Sequence, residues 1–81
     1  MMIYPVATEK AINQIAKGNT IVFEVAKTET RKTVKDYVEK EFSVKVDNIR
    51  IMNTFSGKKR AFVRLKKEFP AMDVASKLKI L

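Results

Sequence analysis

The residues with the clearest chemical potential are cations placed at every second position around one aromatic ring: Arg60, Phe62, Arg64 and Lys66, with Arg50 and Met52 in the run before them. Guanidinium groups fork to phosphate oxygens and stack on bases, and a flat ring such as Phe62 offers a surface to an unpaired base. Between the two runs, Ser56-Gly57-Lys58-Lys59-Arg60 sets three cations beside a flexible tip, suited to following a phosphate backbone. The structural alternatives are edge cations that guard a hairpin against aggregation, a Phe62 packed under a loop, and a plain solvated tip. Charge that recurs on both runs and through the turn favours binding.

Catalytic chemistry has little to work with. The chain has no histidine to move protons near neutral pH and no cysteine to act as a nucleophile, which leaves only lysine and carboxylate chemistry. Its two glycines, Gly18 and Gly57, lie too far apart for a phosphate loop or a dinucleotide fingerprint. Asp36, Glu39 and Glu41 alternate with lysines in the manner of a solvated helix face, not a metal site. We therefore expect no enzyme, no metal and no cofactor.

The whole chain sets the same direction. Its 81 residues suffice for one domain, here taken as residues 1–81, and a hydrophobic fraction of 46% is that of a folding sequence. The formal charge of +8 attracts polyanions. Residues 1–41 hold seven basic and six acidic groups, whereas residues 42–81 hold ten and three, so the anion-binding surface belongs to the second half. Solubilising charge is the alternative. Absence of cysteine suits a reducing interior, with cytoplasm as the default, and no run of apolar residues reaches spanning length, so membrane insertion is not expected.

Local patterns supply the elements that must position these groups. Thr8 reads as the cap of a short helix carrying Ala11, Ile12 and Ile15, which Gly18 ends. Residues 19–26 read as a strand with Ile21, Phe23 and Val25 on one face. Thr28 to Thr30 caps the main helix, whose stripe is Val34, Tyr37, Val38 and Phe42. Those ring and aliphatic groups at helical spacing are core rather than a ligand box. Residues 46–54 and 59–66 read as a hairpin, the first with Ile49 and Ile51 inward, the second with Ala61, Val63 and Leu65 inward. Pro70 opens a last helix carrying Ala71, Val74, Ala75 and Leu78. The expectation is an α+β domain, α-β-α-β-β-α, with a three-stranded antiparallel sheet in the order 1-3-2. Helices cover one face and leave the other, with the cations and Phe62, open.

Several segments together carry a resemblance: Pro5-x-x-Thr8-Glu9-Lys10-Ala11, Asn19 before a strand, Val46-x-x-Ile49-x-x-Met52-Asn53-Thr54, and Gly57-Lys58-Lys59-Arg60-Ala61-Phe62-Val63-Arg64-Leu65. The chain resembles, over nearly its whole length, the universal ribosomal protein L23 family of the large subunit in its archaeal form. The resemblance implies a structural, ribosome-bound protein on large-subunit ribosomal RNA beside the exit of the polypeptide tunnel, where nascent-chain factors dock. It also implies ribosomal protein L29 as a neighbour. Bacterial members dock trigger factor through the acid that corresponds to Glu9, and an archaeal-type member would meet the signal recognition particle. The plain alternative for Glu9 is a first-turn acid favoured by the helix dipole. Lys10, Asn53 and Thr54 join the hairpin residues as implied RNA contacts. Bacterial relatives extend the last hairpin loop into the tunnel, whereas Phe55 to Lys58 makes only a short turn here, which argues against contact with the nascent chain inside the tunnel.

The expected RNA-binding set is thus Lys10, Arg50, Asn53, Thr54, Ser56, Lys58, Lys59, Arg60, Phe62, Arg64 and Lys66, on a protein that is monomeric off the ribosome. A free-standing sheet-type module for single-stranded RNA is the second reading, and would want more than one aromatic on the open face. A protein-interaction adaptor using the main helix is the third.

Overall fold

The computed structural model describes residues 3–54 and 57–78. Along the chain run β1 (Ile3–Pro5), α1 (Glu9–Gly18), β2 (Thr20–Val25), α2 (Arg31–Phe42), β3 (Val46–Asn53), β4 (Lys59–Leu65) and α3 (Ala71–Lys77). The sheet has four strands in the order β1-β2-β4-β3, each antiparallel to its neighbours. The three strands expected from the sequence keep their expected order, and β1 corrects the count from three to four. It pairs Ile3, Tyr4 and Pro5 with Val25, Glu24 and Phe23. Three residues ending in proline show too little alternation to be recognised. An edge position is also where a strand tolerates a residue without an N–H donor.

Each helix is held at its start by side chains that the sequence makes available. The Thr8 hydroxyl accepts the Ala11 N–H at 3.2 Å. Thr30 and Thr33 form a reciprocal capping box, Thr33 N–H donating to the Thr30 hydroxyl at 3.3 Å and Thr30 N–H to the Thr33 hydroxyl at 2.9 Å. At the end of α1, Gly18 is still helical and Asn19 makes the left-handed turn, with φ of 49°. Asparagine tolerates that conformation, and here its side chain also joins three parts of the molecule. The amide nitrogen donates to the carbonyls of Leu65, Lys66 and Phe69 at 3.1 to 3.3 Å. Its oxygen accepts the Ala71 N–H at 2.6 Å, standing in for the cap that Pro70 cannot provide.

Alternation along the strands puts Ile21, Phe23 and Val25 of β2 and Ala61, Val63 and Leu65 of β4 on one side, against Val34, Val38 and Phe42 of α2 and Val74 of α3. These residues are almost completely buried and form the core. Tyr37 meets Phe42 edge-on at 6.5 Å, and a Glu39 oxygen accepts the Val46 N–H at 3.0 Å, tying α2 to the start of β3. A register shift between Val46 and Asn48 interrupts the β3–β4 ladder.

The opposite face is only partly open, a second correction. Val22 alternates outward from β2 yet is 3% exposed, and Ala11 of α1 is 4% exposed. Both border one cavity together with Phe62 of β4, so the first turns of α1 wall one side of that face.

Candidate nucleic-acid interface

The strand register arranges the outer face in rows that cross the sheet. Tyr4, Glu24, Arg60 and Met52 form one row. Val22, Phe62 and Arg50 form the next, and Thr20, Arg64 and Asn48 the third. Three guanidinium groups therefore lie on neighbouring rows with the Phe62 ring among them. Glu24 is the acid within these rows, in register with Arg60. The ion pair found among the described residues joins Arg64 to Asp47 at 3.9 Å, with both side chains more than half exposed. An exposed pair at that separation contributes at most about 1 kcal/mol and leaves Arg64 available to a stronger anion.

A cavity of about 730 Å³ opens on this face between the sheet and α1. Val6, Ala11, Val22, Met52 and Phe62 supply apolar surface, and Thr8, Lys10, Gln14, Asn53, Thr54 and Arg60 supply polar groups. The β1–α1 connection reaches it because the Val6 N–H donates to the Val22 carbonyl at 2.9 Å. From there the Thr8 cap sets the direction of α1, which brings Lys10 and Gln14 to the rim.

Of the residues expected to bind RNA, the structure gathers Lys10, Asn53, Thr54, Arg60 and Phe62 around this cavity. Arg50 adjoins through its register with Phe62, and Arg64 lies one row further on. Lys58 is exposed in the turn, whose ends are joined by the Thr54 N–H and hydroxyl donating to the Lys58 carbonyl at 2.9 and 2.8 Å. Gly57 takes φ of 75° in that turn, a conformation side chains seldom adopt. Lys59 shares the alternation of Ala61 and Val63, so it falls at the end of the sheet on the helix side and stays apart from the arginine rows. Lys66 lies beyond β4, where its N–H donates to the Lys45 carbonyl at 3.1 Å. Glu9 is exposed at the first position of α1. Ser56 and Phe55 lie outside the described residues.

Val6, Thr8, Gln14 and Val22 are site residues that the sequence reading missed. One signal was present: a strand with Ile21, Phe23 and Val25 inward leaves Val22, an apolar side chain, on the outer face with no stated partner.

What the face can do chemically is bind an anionic partner through forked guanidinium contacts and offer an apolar, aromatic-lined recess beside them. No group of histidine, cysteine, aspartate and glutamate able to hold a metal occurs among the described residues, and no described helix is long and apolar enough to cross a membrane.

Residues 1–77 match the sequence model of a family described as ribosomal protein L23. A relative from Caldivirga maquilingensis, described as large ribosomal subunit protein uL23, is 42% identical over 76 residues. That match spans 94% of this chain and 88% of the relative.

Proposed function

This chain belongs to the ribosomal protein L23 family, and from that premise we propose that its outer sheet face binds large-subunit ribosomal RNA. Membership makes it a structural, non-enzymatic protein of the large ribosomal subunit. Arg50, Arg60 and Arg64 contact phosphates, Lys10 and Lys58 extend the same field, and Phe62 packs against a base or sugar. The observation that carries this reading is the row geometry, in which guanidinium groups flank one ring on the face turned away from the α2 and α3 core.

The finer placement follows the family. The domain sits near the exit of the polypeptide tunnel, beside ribosomal protein L29, on ribosomes of the cytoplasm. Glu9 presents a carboxylate there to a nascent-chain factor such as the signal recognition particle. Exposure of Glu9 at a helix start, pointing its charge toward a partner at no cost to the core, supports that role.

The test is a variant in which Lys58, Arg60 and Arg64 are all alanine. Each lost phosphate contact should lower the slope of log affinity against log salt by roughly 0.7 to 0.9, so the variant should lose roughly 2 to 2.7 in slope while melting as the parent does. Unchanged affinity with an intact fold would contradict the hairpin assignment. A free-standing single-strand module is disfavoured because, among the described residues, the outer face carries Phe62 and an edge Tyr4 but no run of stacked rings.

A further inference from the structure

We propose that the cavity between α1 and the outer face is a receptor for one extruded RNA nucleotide, whose base leaves its own strand and lies against Phe62. The assignment rests on the RNA reading above and adds to it a definite occupant. It starts from a contrast in the lining. Val22 and Ala11 are 3% and 4% exposed, so the floor is built and closed, whereas Phe62 is half-buried and part of its ring stays accessible.

The rim is chemically different from the floor. Gln14 carries an amide with donors and an acceptor, and Lys10 and Arg60 carry charge. Among the described residues, no carboxylate lies within ion-pair distance of either cation. A nucleobase has a flat apolar face, a polar edge and a phosphate tethered to it, and this lining offers one surface to each. An apolar protein side chain would use the floor alone and would leave the polar rim unmatched, with Glu24 beside Arg60 but no acid among the described residues paired with Lys10, which is costly. Charge complementarity therefore selects the nucleotide.

Size and energetics agree. A volume of about 730 Å³ is in the range of small-molecule sites, roughly 300–1,000 Å³. A double helix lying across the sheet presents backbone and cannot enter the recess. A base already unpaired in a loop or bulge loses little on leaving its stack, so the cavity favours such positions over paired ones. α1 is what turns a bare sheet into a receptor: Lys10, Ala11 and Gln14 come from one helix, and the Thr8 cap holds its first turn.

The experiment uses the full chain and fragments of large-subunit ribosomal RNA that it binds. Each unpaired nucleotide is replaced in turn by an abasic residue, which removes the base but keeps sugar and phosphate. Expected is one position at which the replacement weakens binding roughly tenfold to hundredfold, the range typical of a stacked base. Phe62→Ala should weaken the intact fragment similarly and should no longer distinguish it from the abasic one. Phe62→Leu keeps much of the bulk without the flat ring and makes the same comparison if the alanine variant does not fold. Fragments that bind equally well with every unpaired base removed would overturn the receptor, leave the RNA reading standing, and hand the cavity to a protein side chain. Failure to bind any large-subunit fragment would overturn both.

Discussion

Asn19 does more for the fold than any of the surface cations, because its amide reaches the end of β4, the following loop and the start of α3 at once. Replacing it with alanine removes those bonds and puts in the left-handed region a residue that tolerates it less well than asparagine. The expected loss in denaturant unfolding is about 2–4 kcal/mol, the sum of a few net hydrogen bonds and the conformational penalty. Asn19→Gly loses the bonds but keeps the conformation, so it should be about 1 kcal/mol less damaging than alanine. Equal losses would mean that the left-handed turn contributes nothing. The cations behave differently. Arg50, Arg60 and Arg64 lie on exposed strand positions, and their neutralisation should change stability by no more than about 0.5 kcal/mol each. Glu9→Lys reverses a charge favoured by the helix dipole, with an expected cost of roughly 0.3–1 kcal/mol. It should leave RNA affinity undiminished while weakening factor docking, and a co-sedimentation assay with ribosomes and signal recognition particle reads the difference.

Among the elements, β2 and β4 are central in the sheet, and β1 is a three-residue edge. Native-state hydrogen exchange should therefore find the slowest amides in β2 and β4 and the fastest strand amides in β1. Slow exchange throughout β1 would contradict its marginal position. Phe23 on β2 is 1% exposed, and Phe23→Ala should cost about 3–5 kcal/mol. A domain of this size has roughly 4–12 kcal/mol in total, so that change alone brings it near unfolding at the low end. Tests of RNA binding belong on the outer face for this reason. The same distinction explains what the sequence revealed. Val34, Val38 and Phe42 repeat over a full helix, and Ile21, Phe23 and Val25 over a full strand, so periodicity was enough to place them. β1 offers too few residues for any period, and the register shift at Val46 to Asn48 depends on how β3 meets β4. Five of the expected contact residues do line one cavity. The cavity itself was not legible, because it forms only where α1 returns across the sheet, and helical spacing within residues 9–18 says nothing about that approach.

At the scale of the whole molecule, a body of 32 × 26 × 19 Å carries eight excess positive charges. Helices α2 and α3 pack on one side of the sheet, where Ile15 of α1 joins their core, while the arginine rows and the cavity walled by the first turns of α1 lie on the other. A basic surface alone binds any polyanion, with an affinity that salt erodes steeply. A shaped site on a family member of the large subunit should add a preference that salt does not erase. The deciding measurement is the affinity of the full chain for fragments of large-subunit ribosomal RNA against an unrelated duplex of equal length, each titrated from low to physiological salt. Expected is a falling affinity for both, with one ribosomal fragment still preferred by tenfold or more, on the order of 1.4 kcal/mol, at physiological salt. Equal and equally salt-sensitive binding to fragment and duplex would contradict specific recognition by the outer face.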